Sequence, residues 1–185
     1  MNRRSFLALG AKVAAGICLA QAVPAWADVP ASLSERSQKT KSLSFYHTHT
    51  RERLNITYAK AGEYDPEALS RINSYLRDFR TAEVHPIDPE VLDILWTIQQ
   101  KMCCNSTYEI ISGYRSPKTN QLLRKKSSGV AKRSLHMQGK ALDVRITGEK
   151  TRNLRDCAIS LKSGGVGYYA KSNFVHIDTG RVRTW

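Results

Sequence analysis

Apolar residues recur along this 185-residue chain with two different periods, and the local period assigns the elements. Between Leu43 and Tyr58, aromatic and β-branched residues surround a polar centre, which predicts a hairpin with strands near 43–48 and 53–59. Asp65-Pro66-Glu67 then opens a helix. Asp65 suits the N-cap, Pro66 the first helical position, and Leu69, Ile72, Leu76 and Phe79 form one apolar stripe running to about Arg80. A second start of the same kind, Asp88-Pro89-Glu90, precedes Val91, Leu92, Leu95, Trp96 and Ile98 and predicts a helix ending near Lys101. Residues 108–112 read as a short strand and 117–126 as a third helix in a basic setting. After Gly129, strand patterns at 141–146 and 174–178 bracket a helix over 151–161 and a glycine turn at Gly164-Gly165. The expected class is α+β, a single domain in which a small antiparallel sheet, its strands concentrated toward the C-terminal end, is flanked by helices.

The N-terminal pattern is of another kind. Arg3 and Arg4 precede an apolar stretch from Phe6 to Ala20 broken only by Lys12, and small residues lead to Ala25-Trp26-Ala27. That order describes a secretory signal over residues 1–27, cleaved before Asp28. The stretch is too short to span a hydrocarbon core of about 30 Å comfortably, so no stable membrane span is expected after cleavage. Asn2-Arg3-Arg4-Ser5-Phe6-Leu7 resembles the twin-arginine signal, which implies export of the folded protein to the periplasm. Residues 28–41 are polar and serine-rich and read as a flexible lead-in, leaving 42–185 as the working domain.

With 41% hydrophobic and 24% charged residues, the composition suits one globular domain and excludes a disordered or collagen-like chain. Lys and Arg number 29 against 16 acids, a net charge of +13, of which the signal carries three positive charges and no acid. The exported protein would therefore stay strongly basic and favour polyanionic partners. Outside the cytoplasm these are cell-wall polymers and lipid head groups, and no nucleic-acid-binding motif is present, so nucleic acid is not an expected partner. The basic run Arg115, Lys118, Arg124, Lys125, Lys126, Lys132 and Arg133 reads as a solvated face or as an attractor for an anionic glycopeptide mesh. Cys18 leaves with the signal, and among Cys103, Cys104 and Cys157 at most one disulfide can form. The alternatives are a bridge from Cys103 or Cys104 to Cys157, or three buried or half-buried thiols.

The chemistry concentrates in Ser134-Leu135-His136-Met137-Gln138-Gly139-Lys140-Ala141-Leu142-Asp143 and, 33 residues beyond Asp143, in His176 within Phe174-Val175-His176-Ile177-Asp178. Two imidazoles and a carboxylate are the ligand set of a catalytic zinc, and three protein ligands leave the fourth position open. A chain with five histidines offers such a pair readily, so residue types alone leave a purely structural reading open.

The flanking residues carry more. Ser-x-His-x-x-Gly-x-Ala-x-Asp resembles the first metal motif of the LAS zinc peptidases, the group of D-Ala-D-Ala metallopeptidases and lysostaphin-like enzymes. That resemblance implies His136, Asp143 and His176 as ligands of Zn2+. Ile111-Ser112-Gly113-Tyr114-Arg115-Ser116, Gly165-Val166-Gly167-Tyr168-Tyr169 and the stretch Ser172 to Gly180 resemble the murein endopeptidases of that group, and the likeness covers nearly all of the exported chain. It implies an exported zinc metallopeptidase that hydrolyses peptidoglycan cross-links, D-Ala-diaminopimelate or diaminopimelate-diaminopimelate, during wall remodelling. A metal-dependent murein carboxypeptidase and a non-catalytic peptidoglycan-binding module are the alternatives.

Other residues then acquire candidate roles. Asp178 lies two residues after His176 and so on the same side of a strand, as general base or as the group that orients a ligand histidine. Many LAS-type enzymes carry Glu or His just upstream of the last ligand; the residue three before His176 here is Asn173, which cannot take a proton. Arg115 matches an arginine that holds substrate in D-Ala-D-Ala peptidases, or it pairs within the fold. Tyr168 or Tyr169 could donate to a developing oxyanion, or pack beside the glycine turn. His47 and His49, two apart on one strand, read as substrate-lining or structural, and His85 as surface.

Overall fold

Strand pairing over long sequence distances organises this domain. The computed structural model describes residues 40–103, 105–127 and 129–185; the expected signal and residues 28–39 of the lead-in lie outside the described residues, as does Cys104. In chain order the elements are β1 (Lys41–His47), β2 (Arg53–Lys60), β3 (Glu63–Tyr64), α1 (Pro66–Tyr75), α2 (Pro89–Lys101), β4 (Tyr108–Ser112), α3 (Pro117–Lys126), a 3-10 turn (Leu135–Gln138), β5 (Ala141–Ile146), α4 (Thr151–Leu161), β6 (Gly165–Tyr169), β7 (Phe174–Asp178) and β8 (Arg183–Thr184). Lys41, expected in the lead-in, already belongs to β1, where its ammonium meets Asp93 of α2 at 2.7 Å.

The architecture is α+β, but the sheet is neither small nor wholly antiparallel. Eight strands run in the order β3-β2-β1-β4-β5-β7-β6-β8. β1 and β4 are parallel, as are β6 and β8, and the other neighbours are antiparallel. The parallel β1–β4 pair follows from its connection, because the chain crosses over through α1 and α2 before re-entering the sheet in the same direction. β3, β6 and β8 had no strand signal of their own: two are only two residues long, and β6 is carried by Gly165 and Gly167.

The helix starts follow local chemistry. Asp65 accepts from the amides of Glu67 and Ala68, Asp88 from that of Glu90 and Ser116 from that of Thr119, each with Pro at the first helical position. α1 stops at Tyr75 instead of continuing to Arg80. The segment beyond folds around buried Asp78, whose carboxylate accepts from the backbone amides of Arg80 (2.9 Å) and Ser116 (2.8 Å). One face of the sheet forms the core. Leu43, Phe45, Tyr108, Ile110, Leu142, Val144, Val175 and Ile177 pack there with Ile72 and Leu76 of α1, Leu92, Leu95 and Ile98 of α2, and Leu154 of α4. Because side chains alternate along a strand, Asp143, His176 and Asp178 project from the opposite face.

Candidate metal centre

Three neighbouring segments deliver the site. In the β5–β7 ladder Asp143 pairs directly with His176, so both side chains leave the sheet at the same point. His136 arrives from the 3-10 turn just before β5. That turn ends at Gly139, whose φ of 67° and contact with the Pro86 carbonyl leave no place for a Cβ. Asp88 N donates to Gly139 O (3.0 Å) and Thr179 N to Lys140 O (3.1 Å), so the turn is pinned from both sides.

The polar atoms converge tightly. Asp143 Oδ1 lies 2.8 Å from His176 Nδ1 and 3.2 Å from His136 Nε2, and the two imidazole nitrogens are 3.2 Å apart. The far nitrogen of each ring has a fixed acceptor: His136 Nδ1 donates to Gly113 O at 2.8 Å and His176 Nε2 to Asp178 Oδ2 at 2.9 Å. In its neutral form each ring therefore turns the lone pair of its facing nitrogen toward the Asp143 carboxylate. Ligands about 2.0–2.1 Å from a tetrahedral ion stand roughly 3.3 Å apart, so this triangle matches one face of a zinc coordination shell. No other group of three such side chains with this convergence occurs among the described residues.

The electrostatics favour a positive charge within the cluster. Burial opposes ionisation of Asp143, but His136 and His176 outweigh it and hold its carboxyl well below the usual carboxylate range. Burial also opposes a charged His176, yet its hydrogen bonds to Asp143 and Asp178 prevail and raise its pKa to about 9. His136 has its pKa lowered, chiefly by burial. A cluster of this kind is stabilised by a cation, whether a proton or a metal ion.

The triad sits in a cleft of about 410 Å³, lined also by Arg115, Arg133, Tyr169, Phe174, Arg183 and Trp185. Arg115 is almost buried; its Nη2 donates to Ser112 Oγ (3.3 Å) and Asp143 Oδ2 (3.4 Å), and its Nε has no partner. Of the two tyrosines, Tyr169 faces the cleft. Tyr168 alternates to the helical side, packing on the core with the Arg155 guanidinium 4.6 Å from its ring. His49 does not line the cleft either: it stacks on Phe79 at 4.0 Å in the β1–β2 turn. His47 is fully buried and accepts the backbone amides of His49 and Thr50, a structural role. His85 is half-buried and stacks on Tyr114 at 4.7 Å. Asn173 accepts from the Thr151 hydroxyl (3.1 Å) at the start of α4. Cys103 is an exposed free thiol, against the expectation of burial, and Cys157 is half-buried against the core.

Asp178 has no solvent exposure. Its oxygens accept from His176 Nε2, from the amides of Gly165 (3.1 Å) and Gly180 (2.8 Å) and from the Arg183 guanidinium. Burial alone would raise its pKa; these hydrogen bonds overcome that and lower it.

Trp185 was not anticipated. Its indole lies against Gly167, with ring centroid 5.3 Å from that of His176, and its Nε1–H donates to Tyr169 Oη at 3.0 Å. A Cβ at position 167 would stand 2.6 Å from the indole, so the Gly-x-Gly alternation of β6 was the available sign of a close approach.

Residues 35–185 match the family model described as peptidoglycan L,D-endopeptidase MepK. The curated protein of that name from Escherichia coli strain K12 is 39% identical over 184 residues, covering all of this chain and 97% of its own length. The Shigella flexneri protein of the same name is equally similar. A probable peptidoglycan L,D-endopeptidase MepK of Haemophilus influenzae is 41% identical over 186 residues, covering all of this chain and 95% of its own. No solved structure matches. With a family model spanning the folded domain and relatives aligned over the full chain, this protein belongs to the MepK family of peptidoglycan L,D-endopeptidases.

Proposed function

We propose that this protein is a zinc-dependent endopeptidase of the periplasm that hydrolyses peptide cross-links in peptidoglycan, with His136 Nε2, Asp143 Oδ1 and His176 Nδ1 as the metal ligands. The observation that carries the reading is the convergence of those three atoms within 3.2 Å, each imidazole tethered through its other nitrogen. When bound, zinc supplies a Lewis acid that activates water toward a peptide carbonyl at neutral pH. The relatives' name specifies a bond between an L- and a D-centre. Of the two cross-links under consideration, that favours diaminopimelate-diaminopimelate.

The chain's own groups divide the remaining work. Asp178 orients His176; with no exposed oxygen and every lone-pair direction engaged, it suits that task and not proton abstraction from substrate water. Arg115 places a guanidinium beside Asp143, where it can hold a substrate carboxylate or carbonyl. Tyr169 accepts from the Trp185 indole, which leaves its own O–H free to donate into the cleft. Arg133 on the rim adds positive charge facing stem peptides that carry free carboxylates.

The test is digestion of purified peptidoglycan with and without chelator, and with zinc restored, followed by mass spectrometry of the released muropeptides. Conversion of diaminopimelate-linked dimers to monomers, stopped by chelator and recovered with zinc, is the expected result. Dimers that survive every condition, while the protein still sediments with the wall, would replace the enzyme by a binding module. Export is tested separately: Arg3→Lys combined with Arg4→Lys should retain the protein in the cytoplasm if the twin-arginine reading holds.

A further inference from the structure

The final strand does more than complete the sheet. From β8, Arg183 places its guanidinium in a two-pronged pairing with Asp178: Nη1 donates to Oδ1 at 3.0 Å and Nη2 to Oδ2 at 2.7 Å. Oδ1 also accepts from the amides of Gly165 and Gly180, and Oδ2 from His176 Nε2 at 2.9 Å. The carboxylate plane is thereby held on every side. Space is equally restricted, since a Cβ on Gly165 would stand 2.6 Å from Asp178 Oδ2 and run into the Arg183 guanidinium. Arg183 borders the cleft, yet three of its five N–H donors are already engaged within the fold. Nη1 additionally donates to Arg181 O at 3.0 Å, and the guanidinium lies 4.8 Å from the Trp185 ring centroid.

This arrangement forms a chain of three side chains, Arg183 to Asp178 to His176, ending at the nitrogen proposed as a metal ligand. A ring that donates through Nε2 to an immobile oxygen cannot rotate about its χ2 axis without losing that bond, so the direction of Nδ1 is set by Asp178. Asp178 in turn is oriented by the planar fork of Arg183, whose two parallel N–H donors match the two carboxylate oxygens. We propose that Arg183 is a positioning residue of the metal centre: acting through Asp178, it fixes the orientation of His176 and so the affinity of the site for its metal. The proposal rests on the reading of His136, Asp143 and His176 as metal ligands.

The experiment measures the zinc dissociation constant of the purified protein by competition with a chromophoric chelator, alongside circular dichroism and melting temperature. Arg183→Gln should weaken zinc binding about 10- to 100-fold with the fold retained. Arg183→Lys, which offers an ammonium without the fork, should recover only part of the loss. In an Asp178→Asn background, Arg183→Gln should add less than about threefold, because its route to the metal is already broken. Zinc affinity equal to the parent's in Arg183→Gln, or the full loss repeated on top of Asp178→Asn, overturns the proposal. So does a lower melting temperature with unchanged zinc affinity, since that marks a merely structural arginine. Should Arg183→Gln fail to fold, Arg183→Lys decides, and parental affinity there is the overturning result. A parent protein that takes up no zinc overturns the metal reading itself and this proposal with it, an outcome distinct from a zinc-binding parent matched by its variants.

Discussion

Asp143 and His176 stand directly opposite one another in the β5–β7 ladder, and their side chains meet on one face of the sheet with Oδ1 and Nδ1 2.8 Å apart. A single-residue slip in register would send one of them into the apolar core on the other face. The proposed metal centre is therefore as well specified as the pairing of Leu142 and Val144 with Ile177 and Val175, which fills that core.

Replacing any member of the triad should remove metal and activity together. Asp143→Asn or His176→Ala is expected to weaken zinc binding by more than the roughly 100-fold typical of outer-sphere changes. Peptidoglycan hydrolysis should fall to background. Metal analysis after dialysis, paired with muropeptide release, checks this; a variant that retains zinc and cleaves would remove that residue from the ligand set.

Gly167→Ala tests the seat of the C-terminal tryptophan. The added methyl would stand 2.6 Å from the Trp185 indole and push it away from His176 and Tyr169. Overpacking of this kind costs about 1–3 kcal/mol, and the rate should drop while zinc stays bound. Trp185 fluorescence and kcat on a cross-linked dimer report the two effects; unchanged values for both would show that the indole has no fixed seat.

Arg115→Ala separates the endopeptidase from the nearest enzymatic alternative. If the guanidinium grips a terminal carboxylate, the loss in kcat/KM should be far larger on a free-ended stem peptide than on a cross-linked dimer. If it serves the proposed endopeptidase, dimer cleavage should fall about 10- to 100-fold, the range expected for losing one charge-assisted contact of about 1.5–3 kcal/mol.

Acid lability should trace in part to His47, which does not line the cleft. Burial, assisted by the charge of His49, lowers its pKa from 6.5 to about 4. Between those values the unfolded chain binds a proton that the folded chain refuses, so stability falls as pH drops from 6.5 toward 4, by roughly 3 kcal/mol in all. Urea unfolding at pH 7 and pH 4.5 should show this slope flattened in His47→Gln; an identical slope in both proteins would acquit His47.

Much of this molecule is written locally. Asp65-Pro66 and Asp88-Pro89 mark helix starts because capping involves residues only two or three apart, and the period-2 runs at 108–112, 141–146 and 174–178 are strands in the structure. His136, Asp143 and His176 were readable as a candidate ligand set because their chemistry and flanking motif lie in the sequence itself, and the structure brings the three together. Tertiary structure decided what depends on pairing across distance. It set the eight-strand order with its two parallel pairs, turned Tyr169 rather than Tyr168 toward the cleft, ended α1 at Tyr75 around the buried Asp78, and brought Arg183 and Trp185 to a cleft whose other lining residues begin at Arg115, 70 residues before Trp185. A strand's face, and what lies across it, follow from register with partners elsewhere in the chain, and no local pattern encodes that register.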